Sequence, residues 1–202
     1  VKFGTVIADP PWAYTNTSKH EKLRGYSDQH YQPLTTDALA ALPVGNIVTD
    51  DAVLFLWTTG PFLVSGEAQR VATGWGFTPV TLMYWNKTTH PAMYGAVTHL
   101  GGVGYWFRGN CEPILVAKRK KSYRWAAHPD WDSRDKSALF SAPKSRHSAK
   151  PDHLHDLIER SVYPKPYLEL FGRRPRAEWT VVGGEMPLSE DVRDSITRLE
   201  KE

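Results

Sequence analysis

The tetrapeptide Asp9-Pro10-Pro11-Trp12 places a carboxylate, two proline carbonyls and an aromatic face within four residues. Proline has a fixed φ and no N–H, so two in succession expose carbonyl oxygens with no donor beside them. With the Asp9 carboxylate they make a rim of acceptors. Such a rim suits a substrate bearing two N–H bonds, for example an exocyclic amino group, and Trp12 would offer a flat apolar face to the ring that carries it. The plainer reading is an Asp-Pro turn closing a strand, with Trp12 packed in the core.

Two other segments carry chemistry. Residues 165–185, "KPYLELFGRRPRAEWTVVGGE", hold a strand-like run, a glycine at its exit, three arginines and a second strand-like run. Gly172 lets backbone approach a ligand, Arg173 or Arg176 can clamp a carboxylate, and Glu169 or Glu185 can accept from ribose-type hydroxyls. This set could hold a charged, nucleoside-like cofactor; it also reads as a surface arginine cluster paired with Glu178 and Glu185. Residues 118–150 carry ten Lys and Arg against three Asp, a local net charge of +7 in a chain of net +3. Interleaved with them are Tyr123, Trp125 and Trp131. Basic residues with exposed aromatics can neutralise phosphates and stack on unpaired bases, whereas a solvated loop with tucked aromatics is the alternative.

The elements that must position these residues follow from pattern. Hydrophobic residues make up 41% and charged ones 23%, a globular composition that allows one α/β domain with a sizeable core over residues 1–202. Apolar, β-branched runs predict strands at 5–8, 52–58, 79–85, 114–117, 167–171 and 179–182. Helices are expected at 36–42, 61–73 and 151–162, and a last one, capped by Ser189, presenting Val192, Ile196 and Leu199 on one face. Their alternation predicts βαβ construction around a mainly parallel sheet, with ligands bound outside the carboxyl ends of the strands. Three long connections, 13–33, 88–109 and 120–147, read as candidate substrate-binding lids. The longest apolar run, residues 52–57, is too short to span a bilayer, and no basic stretch followed by an apolar one opens the chain. A single cysteine, Cys111, excludes an internal disulfide framework and suits a cytoplasmic location; it reads as a buried small hydrophobe. The eight histidines have no metal-ligand spacing, so no metal is expected.

Five segments taken in order resemble a known family: "DPPW" (9–12), "LFLWTTG" (54–60), "GYWFRGNCEPILVAKR" (104–119), "HSAKPDHLHDLIER" (147–160) and "ELFGRRPRAEW" (169–179). The family is the adenine-N6 methyltransferases typified by the eukaryotic messenger-RNA adenosine methyltransferase, and the chain looks like its short bacterial or phage branch. The resemblance implies a class I S-adenosylmethionine-dependent methyltransferase fold, Rossmann-like, with permuted motif order. It implies that Asp9 and the Pro10 carbonyl accept the hydrogens of the target amine, within the catalytic segment formed with Pro11 and Trp12. S-adenosylmethionine would be the cofactor, with Asp9 and Pro10 near its methionine end. Arg173, Arg176, Gly184 and Glu185 would lie around its ribose, close to Glu169, Phe171 and Gly172. Near the position where the family's eukaryotic enzymes carry a lysine, this chain has Asn110 and Cys111, so Arg108 or Lys150 is the candidate cation for the methionine carboxylate. Substrate contacts are expected from Tyr14, Trp57 as the wall opposite Trp12, and Arg108. Lys120, Lys121, Arg124 and Trp125 of the basic segment would join them. The partner implied is nucleic acid, DNA ahead of RNA, and a homodimer is implied by pairing through basic surfaces. A cytosine-N4 methyltransferase, a catalytically silent nucleic-acid-binding subunit and a small-nucleotide binding protein are the competing readings.

Overall fold

The computed structural model describes residues 1–14, 33–88, 107, 109–120, 137–144, 149–161, 163, 165–183 and 191–202. Seven strands form one sheet in the order β5-β3-β4-β2-β1-β6-β7. They are β1 (Phe3–Ala8), β2 (Val48–Trp57), β3 (Thr78–Thr88), β4 (Cys111–Lys118), β5 (Leu139–Pro143), β6 (Tyr167–Leu170) and β7 (Trp179–Val182). Pairings β1–β2, β1–β6, β6–β7 and β3–β5 are parallel, and β4 alone runs antiparallel to its neighbours β2 and β3. β1, wholly buried, therefore lies between β2 and β6, so the first and last sequence motifs become neighbours.

Helices cover both faces, as a buried parallel sheet requires. On one face α1 (Thr36–Ala40), α2 (Gly60–Val64), α3 (Glu67–Gly74) and α5 (Val192–Lys201) enclose Val6, Ala8, Leu54, Leu56, Leu168 and Leu170. On the other, Leu154, Leu157 and Ile158 of α4 (His153–Arg160) pack on Ile7, Val53, Phe55 and Val116. Odd and even strand positions thus feed two separate cores, the consequence of a two-residue side-chain period.

Three expectations are corrected. The helix expected over 61–73 is two helices, because Gly66 takes φ +82° between them; glycine enters that region without steric cost and ends α2. Residues 139–143, assigned to a loop, form β5: Phe140 and Ala142 face inward in alternation, and the Ala142 carbonyl accepts from Trp85 Nε1 at 2.9 Å. The N-cap of α5 is Asp191, whose side chain accepts from the Arg193 N–H at 2.8 Å; Ser189 lies outside the described residues. Among the described residues no helix is long and apolar enough to cross a membrane.

Candidate active site

β1, β2, β6 and β7 all end on the same rim, with Ala8 paired to both Leu56 and Leu170. β3 and β5 run in the same sense and finish there too, at Thr88 and Pro143. Because β4 runs backwards, its first residues lie on this rim as well, with Glu112 opposite Trp85 and the Pro113 carbonyl bound by the Thr58 N–H at 3.1 Å. Asp9 leaves β1 with its N–H on the Leu170 carbonyl (3.3 Å), which pins the acid beside the β6 exit.

Among the described residues the rim holds a linked chain of four charges. Lys150, just ahead of α4, places Nζ 2.9 Å from Asp9 Oδ2 and 3.4 Å from Glu112 Oε2. The other Glu112 oxygen, Oε1, lies 2.5 Å from Lys87 Nζ at the end of β3. Both cations rest on tryptophans, Lys150 over Trp57 and Lys87 over Trp85, each 5.3 Å from the ring centroid. The two rings meet edge to face at 6.1 Å. Only 23% of the Asp9 side chain and 18% of the Lys150 side chain are exposed. Burial pushes the Asp9 carboxyl above its usual range, and the Lys150 ammonium offsets this only in part. Burial alone would raise Glu112 too, but Lys150 and Lys87 reverse the effect and hold it low. Lys150, which burial alone would lower, is held above its ordinary value by Asp9 and Glu112. Neither Glu112 nor Lys87 was legible as a site residue from spacing. The available signal was an acid and a proline opening a buried strand in "GNCEPILVAKR".

The acceptor rim is less open than the prolines suggest. The Pro10 carbonyl accepts from the Trp12 N–H at 2.9 Å and the Pro11 carbonyl from the Leu34 N–H at 2.8 Å. The chain folds back to supply the donors that proline lacks. A carbonyl oxygen has two lone pairs, so among the described residues Pro10 keeps one, and Asp9 keeps Oδ1.

The aromatic expectations need correction. Trp12 is 8% exposed, stacked on Phe62 at 4.9 Å with Nε1 donating to the Trp57 carbonyl at 3.1 Å, so it packs as core instead of presenting a free face. Trp57, 2% exposed, is the platform under Lys150 and not an open wall. Tyr14 does reach solvent at the same edge, 56% exposed, its hydroxyl donating to Thr59 Oγ1 at 3.4 Å.

At the β6–β7 exit, Gly172 and Gly183 press two backbones together, and the Gly172 N–H binds the Val182 carbonyl at 3.0 Å. Phe171 turns the chain at φ +64°, but its ring is buried in the core, so only its backbone borders the exit. Glu169 Oε2 lies 3.0 Å from His155 Nε2, and among the described residues Oε1 has no hydrogen-bond partner. His155 was expected only as a non-ligand, yet it is buried against this carboxylate. Arg173, three residues past the end of β6, is half-buried, and its charge works to lower the Asp9 carboxyl.

Arg176, expected around a cofactor ribose, is engaged by carboxylates of α4 and its N-cap. Its Nε and Nη2 bind Glu159 (2.6 and 2.8 Å), Nη2 also binds Asp156 (2.6 Å) and Nη1 binds Asp152 (3.4 Å), tying the β6–β7 connection to α4. Glu159 is held low by the Arg176 hydrogen bond. Arg176→Gln is expected to cost about 1 kcal/mol, less at high salt because the carboxylates are partly exposed, measurable by urea unfolding at two ionic strengths. Lys120 is also displaced from the site. β4 is antiparallel, so it carries Lys118 to the opposite end of the sheet, opposite Val53, roughly 13 Å from Ile114 at about 3.3 Å per residue. Lys120 follows on that far side and is exposed. Cys111 is exposed at the start of β4, not buried. Arg108, Lys121, Arg124, Trp125, Gly184 and Glu185 lie outside the described residues, as does most of the three expected lids. Among the described residues no cluster of three His, Cys, Asp or Glu could hold a metal.

A family model described as MT-A70 matches residues 3–185. The zebrafish (Danio rerio) "N(6)-adenosine-methyltransferase subunit METTL3" is 28% identical over 187 residues, which is 92% of this chain and 28% of that protein. The "Type II methyltransferase M.MunI" of Mycoplasma sp is 26% identical over 201 residues, 92% of this chain and 78% of that protein. The "DNA N6-methyl methyltransferase" of Caenorhabditis elegans is 27% identical over 176 residues, 85% of this chain and 42% of that protein.

Proposed function

The chain belongs to the MT-A70 family, an S-adenosylmethionine-dependent methyltransferase domain of mixed α/β fold, and on that premise we propose that it methylates the N6 amine of adenine in nucleic acid, DNA ahead of RNA. The observation that carries this reading is the Asp9 carboxylate, part-buried at the exit of the central strand and pinned beside the β6 exit. DNA is favoured because the chain spans most of the type II methyltransferase M.MunI but little of METTL3, and because a nematode relative is named for DNA.

The residues present fit the cofactor by their chemistry. Glu169 Oε1 is an acceptor for ribose hydroxyls, Arg173 is a half-buried cation just past β6, and the close-packed, buried Gly172–Gly183 exit brings two backbones together without side chains between them. When bound, S-adenosylmethionine supplies a methyl group made electrophilic by the sulfonium. The protein's part is to prepare the amine. An aryl amine is a weak nucleophile because its lone pair is delocalised into the ring. Asp9 Oδ1 and the remaining lone pair of Pro10 accept one N–H each, which favours a pyramidal nitrogen with its lone pair free. Such preorganised acceptors, with positioning, supply rate without a covalent intermediate. Asp9, made more basic by burial, then takes the proton that the methylated nitrogen sheds.

Incubation with methyl-labelled cofactor and matched DNA and RNA panels, followed by nucleoside digestion, tests the reading. N6-methyladenine from DNA is the expected product. N4-methylcytosine would replace adenine as the substrate, and absence of label from every panel would remove the activity.

A further inference from the structure

We propose that Glu112 is a positioning residue of the methyl-transfer site, drawing the Lys150 ammonium partly off Asp9 so that the Asp9 carboxylate remains open to the substrate amine. This inference rests on the reading of Asp9 given above. Its ground is the geometry of shared contacts. One ammonium sits between two carboxylates, 2.9 Å from Asp9 and 3.4 Å from Glu112. Glu112 is itself held from the other side by Lys87 at 2.5 Å. Each cation sits over a tryptophan ring, 5.3 Å from its centroid, and the Lys150 ammonium lies within reach of both acids at once.

Stability alone gives this arrangement little reason to exist, because a partly buried ion network is commonly matched by apolar residues of similar volume. Its effect on Asp9 is specific. With Glu112 ionised, Lys150 divides its attraction. With Glu112 neutral, Lys150 commits to Asp9, occupies the carboxylate that the amine needs and makes it less basic. Glu112 also acts on Asp9 directly as a like charge. Among the described residues, the charged and titratable groups that act on Asp9 are Lys150 ahead of α4, Glu112 on β4, Arg173 after β6 and the Tyr14 phenol after β1. Lys87 on β3 acts through Glu112.

Two substitutions move Asp9 in opposite directions, which a structural role would not do. In Glu112→Gln the acid limb of the pH–kcat profile is expected to shift down by about one pH unit, since removing a near like charge lowers a carboxyl pKa. At neutral pH kcat is expected to fall roughly tenfold with KM for nucleic acid unchanged, the mark of an interaction made at the chemical step. In Lys87→Gln, Glu112 is left to compete fully for Lys150, and the limb moves up. Carboxyl-carbon NMR of Asp9 in the free proteins reads the same two displacements without any reaction. An Asp9 titration identical in wild type and Glu112→Gln overturns the proposal. Opposite NMR shifts in the two variants, with a wild-type protein that transfers no methyl group, would leave the coupling standing and sink the methyltransferase reading instead.

Discussion

Asp9→Ala is expected to lower methyl transfer by about a thousandfold or more while the protein stays folded. Removing a single preorganised polar group at a reacting centre costs on the order of 10²–10³ in rate. Asp9 contributes both an acceptor and the destination of the departing proton, so the larger value applies. The fold survives because the substitution does not orphan the partner charge: Lys150 keeps Glu112 at 3.4 Å and its seat on Trp57. A loss of about 1–2 kcal/mol is expected, well below the 3–5 kcal/mol typical when one member of a fully buried pair is removed. Thermal unfolding and rate measurement on the same preparation check both halves. Asp9→Asn separates charge from shape: it keeps one acceptor but turns an NH2 toward the amine, so its activity should also collapse. Retention of a tenth of wild-type activity in either variant would end the mechanism.

The largest structural effect is expected from Gly183→Ala. A β-carbon there would lie 2.0 Å from the Gly172 carbonyl oxygen and 2.7 Å from its nitrogen, and neither is a side-chain tip that could swing aside. The strand ends must part, which breaks the Gly172 N–H to Val182 carbonyl bond of 3.0 Å. Forced separation of packed backbone places the cost at about 3–5 kcal/mol. For a chain of this length that corresponds to a melting temperature lower by roughly 8–15 °C. Gly60→Ala is the control: nothing lies within 4 Å of its added carbon, and a change within about 0.5 kcal/mol is expected. Calorimetry with S-adenosylmethionine should show weakened binding in Gly183→Ala, because the same exit borders the expected cofactor position.

What the sequence determined by itself is the part encoded locally. β1, β6 and β7 were legible from short β-branched and apolar runs, and α4 from the spacing of Leu154, Leu157 and Ile158, all buried as expected. The acid and two prolines after β1 announced a strand that stops abruptly at a polar edge, and the ordered motifs announced the family. β5 was missed because five residues bounded by Ser137, Ala138 and Lys144 carry too little pattern to outweigh the basic, loop-like composition around them.

Tertiary structure alone decided which charges meet. Lys150 and Asp9 are 141 residues apart, and no local spacing brings them to 2.9 Å. The reversed direction of β4 is what delivers Glu112 to the rim and sends Lys120 to the far end, so one pairing choice admits one residue and excludes the other. The same holds for Arg176, whose guanidinium found three carboxylates along α4 once that helix lay beside it. Side-chain identity states what a residue can bind. Strand direction and register decide what it is offered, and those are set by burying two faces of the whole sheet at once.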